Sequence, residues 1–121
     1  SNIEEAEPAM RGTYLKFYVH ENRRHHSILL YEWLLAQAKH LDIHGGSAFR
    51  SIAGFGRLGV IHEEHFFELA GDLAVEVVFA VSDEEANRLL DLVRAENLAL
   101  FYTKIPVEYG VVNGNIDQPN G

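Results

Sequence analysis

The sequence predicts an α+β domain in which two helices cover one face of a four-stranded antiparallel sheet. Three observations favour this architecture. Segments that alternate apolar and polar residues recur along the chain, and two segments with apolar residues at helical spacing lie between them. With 121 residues, the chain has the length of a single domain with one core. The predicted order of elements is therefore β-α-β-β-α-β.

The first strand and the first helix are predicted from the N-terminal third of the chain. Residues 13–20, TYLKFYVH, alternate apolar and polar side chains with the period of a half-buried strand. After the polar turn ENRRHH, Ser27 is the predicted N-cap of a helix that runs to about Asp42. Gly45 and Gly46 follow the end of this helix, as is common beyond a helix C-terminus.

The other strands and the second helix follow in the same way. SAFRSIAGF predicts the second strand, and DLAVEVVFAV, with one wholly apolar face, predicts a central third strand. SDEE is a capping box, because Ser82 can accept from the amide of Glu85 while the Glu85 side chain reaches back. This helix is predicted to end near Asn97. LALFYTKIPVEY predicts the last strand, in which Pro106 indicates an edge or a bulge.

This order of elements is that of the ferredoxin-like fold, whose right-handed crossovers place both helices on the same face of the sheet. The other face of the sheet then has no cover. A small domain either exposes such an apolar patch or buries it against copies of itself, and we expect self-association. The residues predicted on this face are Tyr14, Tyr18, Val78, Ala80 and Tyr102.

The predicted domain covers residues 13–109, after a disordered segment at residues 1–12 and before a flexible tail at residues 110–121. The chain has no cysteine, which excludes disulfides, thiolate metal sites and cysteine nucleophiles. No apolar stretch approaches the roughly 20 residues that span a bilayer, and the opening SNIEEAEPAM lacks the regions of a signal peptide. We therefore expect a cytoplasmic protein without membrane insertion.

The charge of the chain is negative and unevenly distributed. A formal net charge of −8 argues against nucleic-acid binding, which draws its energy from basic residues that neutralise phosphates. Residues 1–60 carry six Asp or Glu and seven Lys or Arg, whereas residues 61–121 carry twelve and three. An anion site is therefore predicted in the first half, which contains Arg23, Arg24, Arg50 and Arg57.

Two segments of this half could bind an anion. In the segment GFG, Gly54 and Gly56 allow close approach of the backbone, and Arg50 and Arg57 on either side offer forked donors. A bulge or turn with solvated arginines would have the same sequence. The turn ENRRHH, with Arg24, leads to a helix N-terminus, which attracts anions, although a solvated loop is the alternative.

The sequence HEEH, from His62 to His65, contains the nitrogen and oxygen ligands that suit zinc. Its spacing differs from the HExxH motif, in which two histidines four residues apart share one helix face. Two ligands alone do not make a site, so no metal ligand is assigned. The five other histidines are scattered, and we expect most of the seven histidines to be surface residues.

Two longer stretches, YVHENRRHHSILLYEWLLAQAKHLDIHGGSAFRSIAGFG and IHEEHFFELAGDLAVEVVFAVSDEE, carry a resemblance to a known family. They resemble DUF190, a PII-like domain family of unknown function related to nitrogen regulatory PII signalling proteins. The resemblance covers residues 14–107. The positions in register with the family pattern are Gly46, Arg50, Ile52, Gly54, Phe55, Gly56, Ile61, His62, Asp72 and Leu73.

The resemblance implies a ferredoxin-like trimer with ligand sites in the clefts between subunits, near the loop that joins strands two and three. In PII proteins this loop contacts regulated partners, and a Gly-rich segment before the last strand helps to bind nucleotide phosphates. Here RAENLALFYTK occupies that position and has no glycine. The predicted ligand site is therefore composed of Arg24, Arg50, Gly54, Phe55, Gly56, Arg57, His62 and Lys104.

The predicted function is that of a PII-like signalling protein. A homotrimer would bind a small anionic ligand or nucleotide between its subunits and regulate a partner such as a membrane transporter or an enzyme. The alternative is a divalent-metal-binding trimer of the CutA type, which the histidines and acidic residues near His62 favour. We expect no catalytic activity, because no acid–base pair, nucleophile or cofactor motif is present.

Overall fold

The computed structural model describes residues 9–55 and 73–114 of the chain. Six strands and two helices occur in these two ranges. None of the described helices has the length and the apolar composition needed to cross a bilayer. In chain order, the elements are β1 (Met10–His20), β2 (Arg24–His25), β3 (Ile28–Leu29), α1 (Leu30–His40), β4 (Ser47–Arg50), β5 (Ala74–Val81), α2 (Asp83–Ala95) and β6 (Phe101–Tyr109).

Four strands form one antiparallel sheet in the order β4-β5-β1-β6. Strands β1 and β4 are connected through α1, and they run parallel to each other on either side of β5. Strands β5 and β6 are connected through α2, and they run parallel to each other on either side of β1. This split β-α-β arrangement is the ferredoxin-like fold, as predicted. Strand β6 lies at an edge, which accommodates Pro106 within it.

The core lies between the sheet and the two helices. Alternate residues of β1 point into it, and Leu15, Phe17 and Val19 are completely buried. The apolar face predicted for the third strand is found on β5, where Val77 and Phe79 are also buried against the helices. The pattern of period two in both central strands therefore defines one side of the core.

Helix α2 begins as its sequence predicts. The Ser82 hydroxyl accepts a hydrogen bond from the Glu85 amide, and the Glu85 carboxylate accepts one from the Ser82 amide, both at 3.0 Å. The capping box is confirmed. In addition, the Thr13 hydroxyl donates to Asp83 Oδ1 at 2.6 Å, which connects the first turn of α2 to β1.

Helix α1 begins three residues after the predicted N-cap. Ser27 has φ 71° and His26 has φ 52°, whereas an N-cap residue requires an extended backbone. These two residues instead form the turn of a short hairpin between β2 and β3, which the sequence analysis missed. Leu29 takes the N-cap position without a side-chain hydrogen bond, and the helix ends at His40.

Strand β4 is shorter than predicted, because it ends at Arg50 and not at Phe55. Its last pair is Arg50 with Val75, followed by a hydrogen bond from the Ser51 amide to the Ala74 carbonyl at 2.9 Å. Since Ala74 is the first residue of β5, no further residue of that strand is available for pairing.

No described element covers the sheet face opposite the helices, and four of the five residues predicted for this face lie on it. Tyr102 was wrongly predicted there, because it pairs with Phe17 and its ring lies 6.4 Å from the Phe17 ring on the helix side. The neighbouring residues of β6 take the open side instead. We call the following residues the open face: Tyr14, Lys16, Tyr18, Phe49, Glu76, Val78, Ala80, Phe101, Ile105 and Val107.

The two adjacent glycines before β4 differ in their surroundings, and this difference can be tested. A Cβ atom on Gly46 would lie 2.5 Å from the buried ring of Phe79, whereas a Cβ atom on Gly45 would meet nothing within 4 Å. Overpacking a core typically costs about 1–3 kcal/mol. We expect Gly46→Ala to lower the free energy of unfolding by this amount and Gly45→Ala to leave it nearly unchanged. Urea denaturation of both variants would measure the difference, and equal stabilities would contradict it.

Candidate functional site

The candidate site lies at the end of the sheet where β1 and β4 finish and β5 begins. The chain leaves the described residues at Phe55 and re-enters them at Leu73, so both ends of the intervening connection are located here. We call Glu21, residues 50–55 and Leu73 the loop end of the sheet. Gly56, Arg57 and His62 of the predicted site lie outside the described residues, as does His65.

Glu21 connects the parts of the loop end. Its amide donates to the Leu73 carbonyl at 2.9 Å, and its carboxylate accepts from the Leu73 amide at 3.4 Å. Arg50 Nε lies 2.8 Å from the other oxygen of the same carboxylate. One largely buried acidic side chain therefore holds both Arg50, at the end of β4, and Leu73, before β5.

Arg50 is anchored at one nitrogen and is largely exposed. Its side chain is 67% exposed, and Glu21 is its only ion-pair partner within residues 9–55 and 73–114. The Nε contact restrains the guanidinium, and Glu21 is the only partner described for it, at Nε. This arrangement can offer two parallel N–H groups to a phosphate or carboxylate, although Glu21 already neutralises part of its charge.

The segment after Arg50 presents apolar side chains to solvent. Ile52 is 95% exposed and Phe55 is 83% exposed, and Gly54 between them has φ +157°, a backbone conformation that residues with a side chain rarely adopt. Large apolar side chains with such exposure next to a cation are suited to contact with the apolar part of a ligand or with another subunit. Of the predicted site, Arg50, Gly54 and Phe55 thus lie within six consecutive residues at the loop end of the sheet.

The arginines of the β2–β3 hairpin have structural contacts. Arg24 donates to the Ser27 carbonyl at 3.1 Å and closes the turn of its own hairpin. Arg23 donates to the Ala99 carbonyl at 3.1 Å, and partial burial lowers the pKa of its guanidinium. Arg24 therefore has one donor engaged in the hairpin, a role that the sequence did not indicate.

Lys104 lies in a separate open cleft of about 740 Å³ between the edge strand β6 and the first half of α2. In this cleft Asp83 accepts the hydrogen bond from Thr13, and Glu108 Oε2 lies 4.0 Å from Arg11 Nε. No acidic partner of Lys104 is found among the described residues. The cleft is lined by Arg11, Gly12, Thr13, Asp83, Asn87, Lys104, Ile105, Pro106, Val107 and Glu108.

Within one chain, Lys104 and Arg50 lie far apart. They belong to the two outer strands, which at the usual strand spacing are about 14 Å apart across the sheet. Lys104 pairs with Leu15 of β1, whereas Arg50 is in register with Val19 of β1 through its partner Val75. Leu15 and Val19 are four residues apart, which adds a displacement of about 13 Å along the strands. A single phosphate or carboxylate group could therefore contact both residues only if two chains contribute them.

A third group of polar side chains was missed by the sequence analysis. His25 and His26 both donate from Nε2 to the same oxygen of Glu96, at 2.8 Å and 3.1 Å. These hydrogen bonds lower the pKa of Glu96, with desolvation acting in the opposite direction. The histidines were predicted to be surface residues of a turn, and Glu96 lies some 70 residues further along the chain, so no local pattern links them.

Comparisons with known proteins agree with this fold. The DUF190 family model, described as Uncharacterized ACR, COG1993, matches residues 12–103. The chain belongs to the DUF190 family. This chain is also similar to a curated relative, the UPF0166 protein of Aquifex aeolicus (strain VF5). The two sequences are 28% identical over 86 residues, which cover 71% of this chain and 82% of the relative.

A solved structure is similar to this DUF190 chain in fold. It is CPII bound to ADP, AMP and acetate, from Thiomonas intermedia K12. The two structures superpose with a TM-score of 0.62, with 14% identity, over 87% of this chain and 94% of the other. The predicted PII-like, ferredoxin-like domain is therefore confirmed, and the match at this identity concerns the fold.

The Glu21–Arg50 pair should contribute little to the stability of this DUF190 domain. Ion pairs with one largely exposed partner are typically worth less than about 1 kcal/mol. We expect Arg50→Ala and Glu21→Gln each to keep the native fold, with a coupling free energy below that value in a double-mutant cycle measured by urea denaturation. A coupling of several kcal/mol would show that Arg50 is primarily a structural residue.

Proposed function

We propose that this DUF190 protein is a PII-like regulatory protein. Its homotrimer binds a small anionic ligand of the nucleotide class between subunits, and the bound state regulates a partner such as a membrane transporter or an enzyme. The observation that carries the proposal is the side chain of Arg50, which is held at Nε by Glu21 and is 67% exposed. No catalytic role is included in the proposal.

The chemistry of Arg50 favours an anion with paired oxygens. A guanidinium whose plane is fixed loses less conformational entropy when it forms two parallel hydrogen bonds than a freely rotating side chain. Phosphate and carboxylate groups have the matching geometry. Glu21 is the only described acidic partner of Arg50 and offsets its charge, so the ligand must also form contacts with other groups.

The apolar neighbours of Arg50 favour a ligand that also has a flat, weakly polar part. Ile52 and Phe55 are almost fully exposed in one chain, and an aromatic ring can stack on a nucleobase. The fold neighbour CPII was solved with ADP, AMP and acetate, all of which are anions. Both observations support the nucleotide class for this chain.

The open face supports the trimer. Apolar side chains dominate this face, and Ile105 and Phe49 on it are each more than half exposed in one chain. If three copies pack their open faces around a common axis, their helices point outward and the edge strands of neighbouring copies approach each other. The Arg50 edge of one chain can then meet the Lys104 edge of the next, which a single chain does not permit.

The contact with a regulated partner is assigned to the connection between β4 and β5. In PII proteins this connection carries such contacts, and here its two ends are joined by Glu21 next to Arg50. A ligand bound to Arg50 would compete for or reinforce the Glu21 contact and so reach both ends of the connection. The CutA-type alternative rests on His62 and His65, outside the described residues, and stays a prediction.

The first test is the affinity for adenine nucleotides. Arg50→Ala should weaken binding of ADP and AMP about tenfold to hundredfold, because it removes a charge-assisted contact worth about 1.5–3 kcal/mol. Lys39→Ala, which removes an exposed cation at the last turn of α1, is the matched control and should bind as the unaltered protein does. Isothermal titration calorimetry of the three proteins would measure the affinities.

Two outcomes would contradict the proposed site. The absence of saturable heat with ADP, AMP or common metabolite anions would show that the protein does not bind this class of ligand. If Arg50→Ala and Lys39→Ala weaken the affinity equally, the effect comes from the overall charge of the protein and not from a site at Arg50. Light scattering on Arg50→Ala, which should keep the oligomeric state, separates loss of the site from loss of the assembly.

The second test is the oligomeric state. Ile105→Lys places a charge on the open face and should convert the trimer into monomers, since an unpaired charge in an apolar interface is strongly unfavourable. Ala36→Lys adds the same charge to an exposed position of α1 and should leave the trimer intact. Light scattering at micromolar concentration would distinguish them, and a monomeric unaltered protein would refute the trimer.

A further inference from the structure

We propose that His25, His26 and Glu96 form a binding site for a zinc ion, separate from the anion site. One ring nitrogen of each histidine and a carboxylate oxygen of Glu96 all lie within 4.8 Å of one another. Two imidazoles and one carboxylate are a ligand set that zinc accepts, with a fourth position open to water or another ligand. The three residues come from the β2–β3 hairpin and the C-cap of α2.

The distances fit a zinc ion after a small adjustment. Bonds of about 2.0–2.2 Å in a tetrahedral arrangement separate neighbouring ligand atoms by about 3.4 Å. The Nε2 atoms of His25 and His26 lie 2.8 Å and 3.1 Å from Glu96 Oε1. A zinc ion would take the place of the two shared protons, because each imidazole can carry its proton on Nδ1 and offer the Nε2 lone pair.

The ligands are already positioned by packing. The ring of His25 lies edge-on against Trp33 at 4.6 Å, and Trp33 is a buried residue of α1. The turn places His26 and Ser27 at positive φ, a conformation that Asn and Gly adopt more readily in such two-residue hairpins. This turn brings two consecutive imidazoles to the same side, with their centroids 4.2 Å apart.

The location at a helix C-terminus favours a cation over an anion. Glu96 is the C-cap of α2, where the last carbonyl groups give the helix a partial negative charge. Bound zinc would therefore contact a carboxylate in a region of negative potential. It would also join the hairpin to α2 by coordination, whereas the zinc-free protein joins them by two hydrogen bonds to one oxygen.

The experiment titrates the protein, purified without a histidine tag, with zinc chloride in a calorimeter and with cobalt chloride in a visible spectrometer. We expect saturation by zinc and visible cobalt bands of tetrahedral coordination that zinc abolishes. His26→Ala and Glu96→Gln should each lower the zinc affinity more than about tenfold, since even outer-shell changes cost that much. His40→Ala, at an exposed histidine of α1, is the control and should bind normally.

Thermal unfolding gives an independent readout. Zinc should raise the unfolding midpoint of the unaltered protein and of His40→Ala, and it should raise that of His26→Ala much less. Because His26 is mostly exposed, its replacement should not prevent folding, which circular dichroism would verify.

Two results would overturn the proposal. Absence of saturable zinc binding would show that the three residues form only a hydrogen-bonded contact. Binding that survives His26→Ala and Glu96→Gln but is lost in a His62→Ala, His65→Ala double variant would place the metal elsewhere and overturn the proposal.

Discussion

The structure depends on the pairing of β1 on both of its sides. Strand β1 is hydrogen-bonded to β5 along one edge and to β6 along the other, so its alternation is imposed on the whole sheet. Leu15, Phe17 and Val19 are completely buried. Their position determines which side of β5 and β6 contacts the helices. A shift of either neighbour by one residue would exchange the core and the open face, and burial of the core side prevents it.

The same pairing determines the character of the open face. Lys16 and Glu76 form an ion pair of 3.0 Å near its centre, with apolar residues on the strands around them. The hydrogen bond to Glu76 raises the pKa of Lys16 and outweighs the opposing effect of burial. A charged pair that is satisfied within its own chain can be covered by another subunit without leaving an unpaired charge, so it is compatible with an interface on this face.

Local signals in the sequence predicted most of the fold, and contacts distant in sequence account for the remainder. The capping box of Ser82 and the alternation of β1 depend on neighbouring residues, and both could be recognised. Tyr102 was assigned to the wrong face because β6 has large side chains on both sides, and only its register with β1 decides between them. The start of α1 was missed because the hairpin before it is stabilised by Trp33 and Glu96, which no adjacent residue reveals.

For the candidate site, Arg50 and the GFG segment were found from residue type, whereas the anchoring role of Glu21 required the structure.

In the proposed trimer, the position of Arg50 and Lys104 on opposite edges of the sheet would link ligand binding to assembly. If both contact the same anion, the site does not exist in a monomer, and the ligand binds only the assembled form. By mass action such a ligand must stabilise the trimer, to a degree that grows with its concentration relative to its dissociation constant. The ends of the β4–β5 connection are attached to the same site through Glu21. In the proposed trimer, occupation of one cleft would therefore act on the ends of the β4–β5 connection in one chain and on the edge strand of another, and this is how the proposed trimer would report the presence of a ligand.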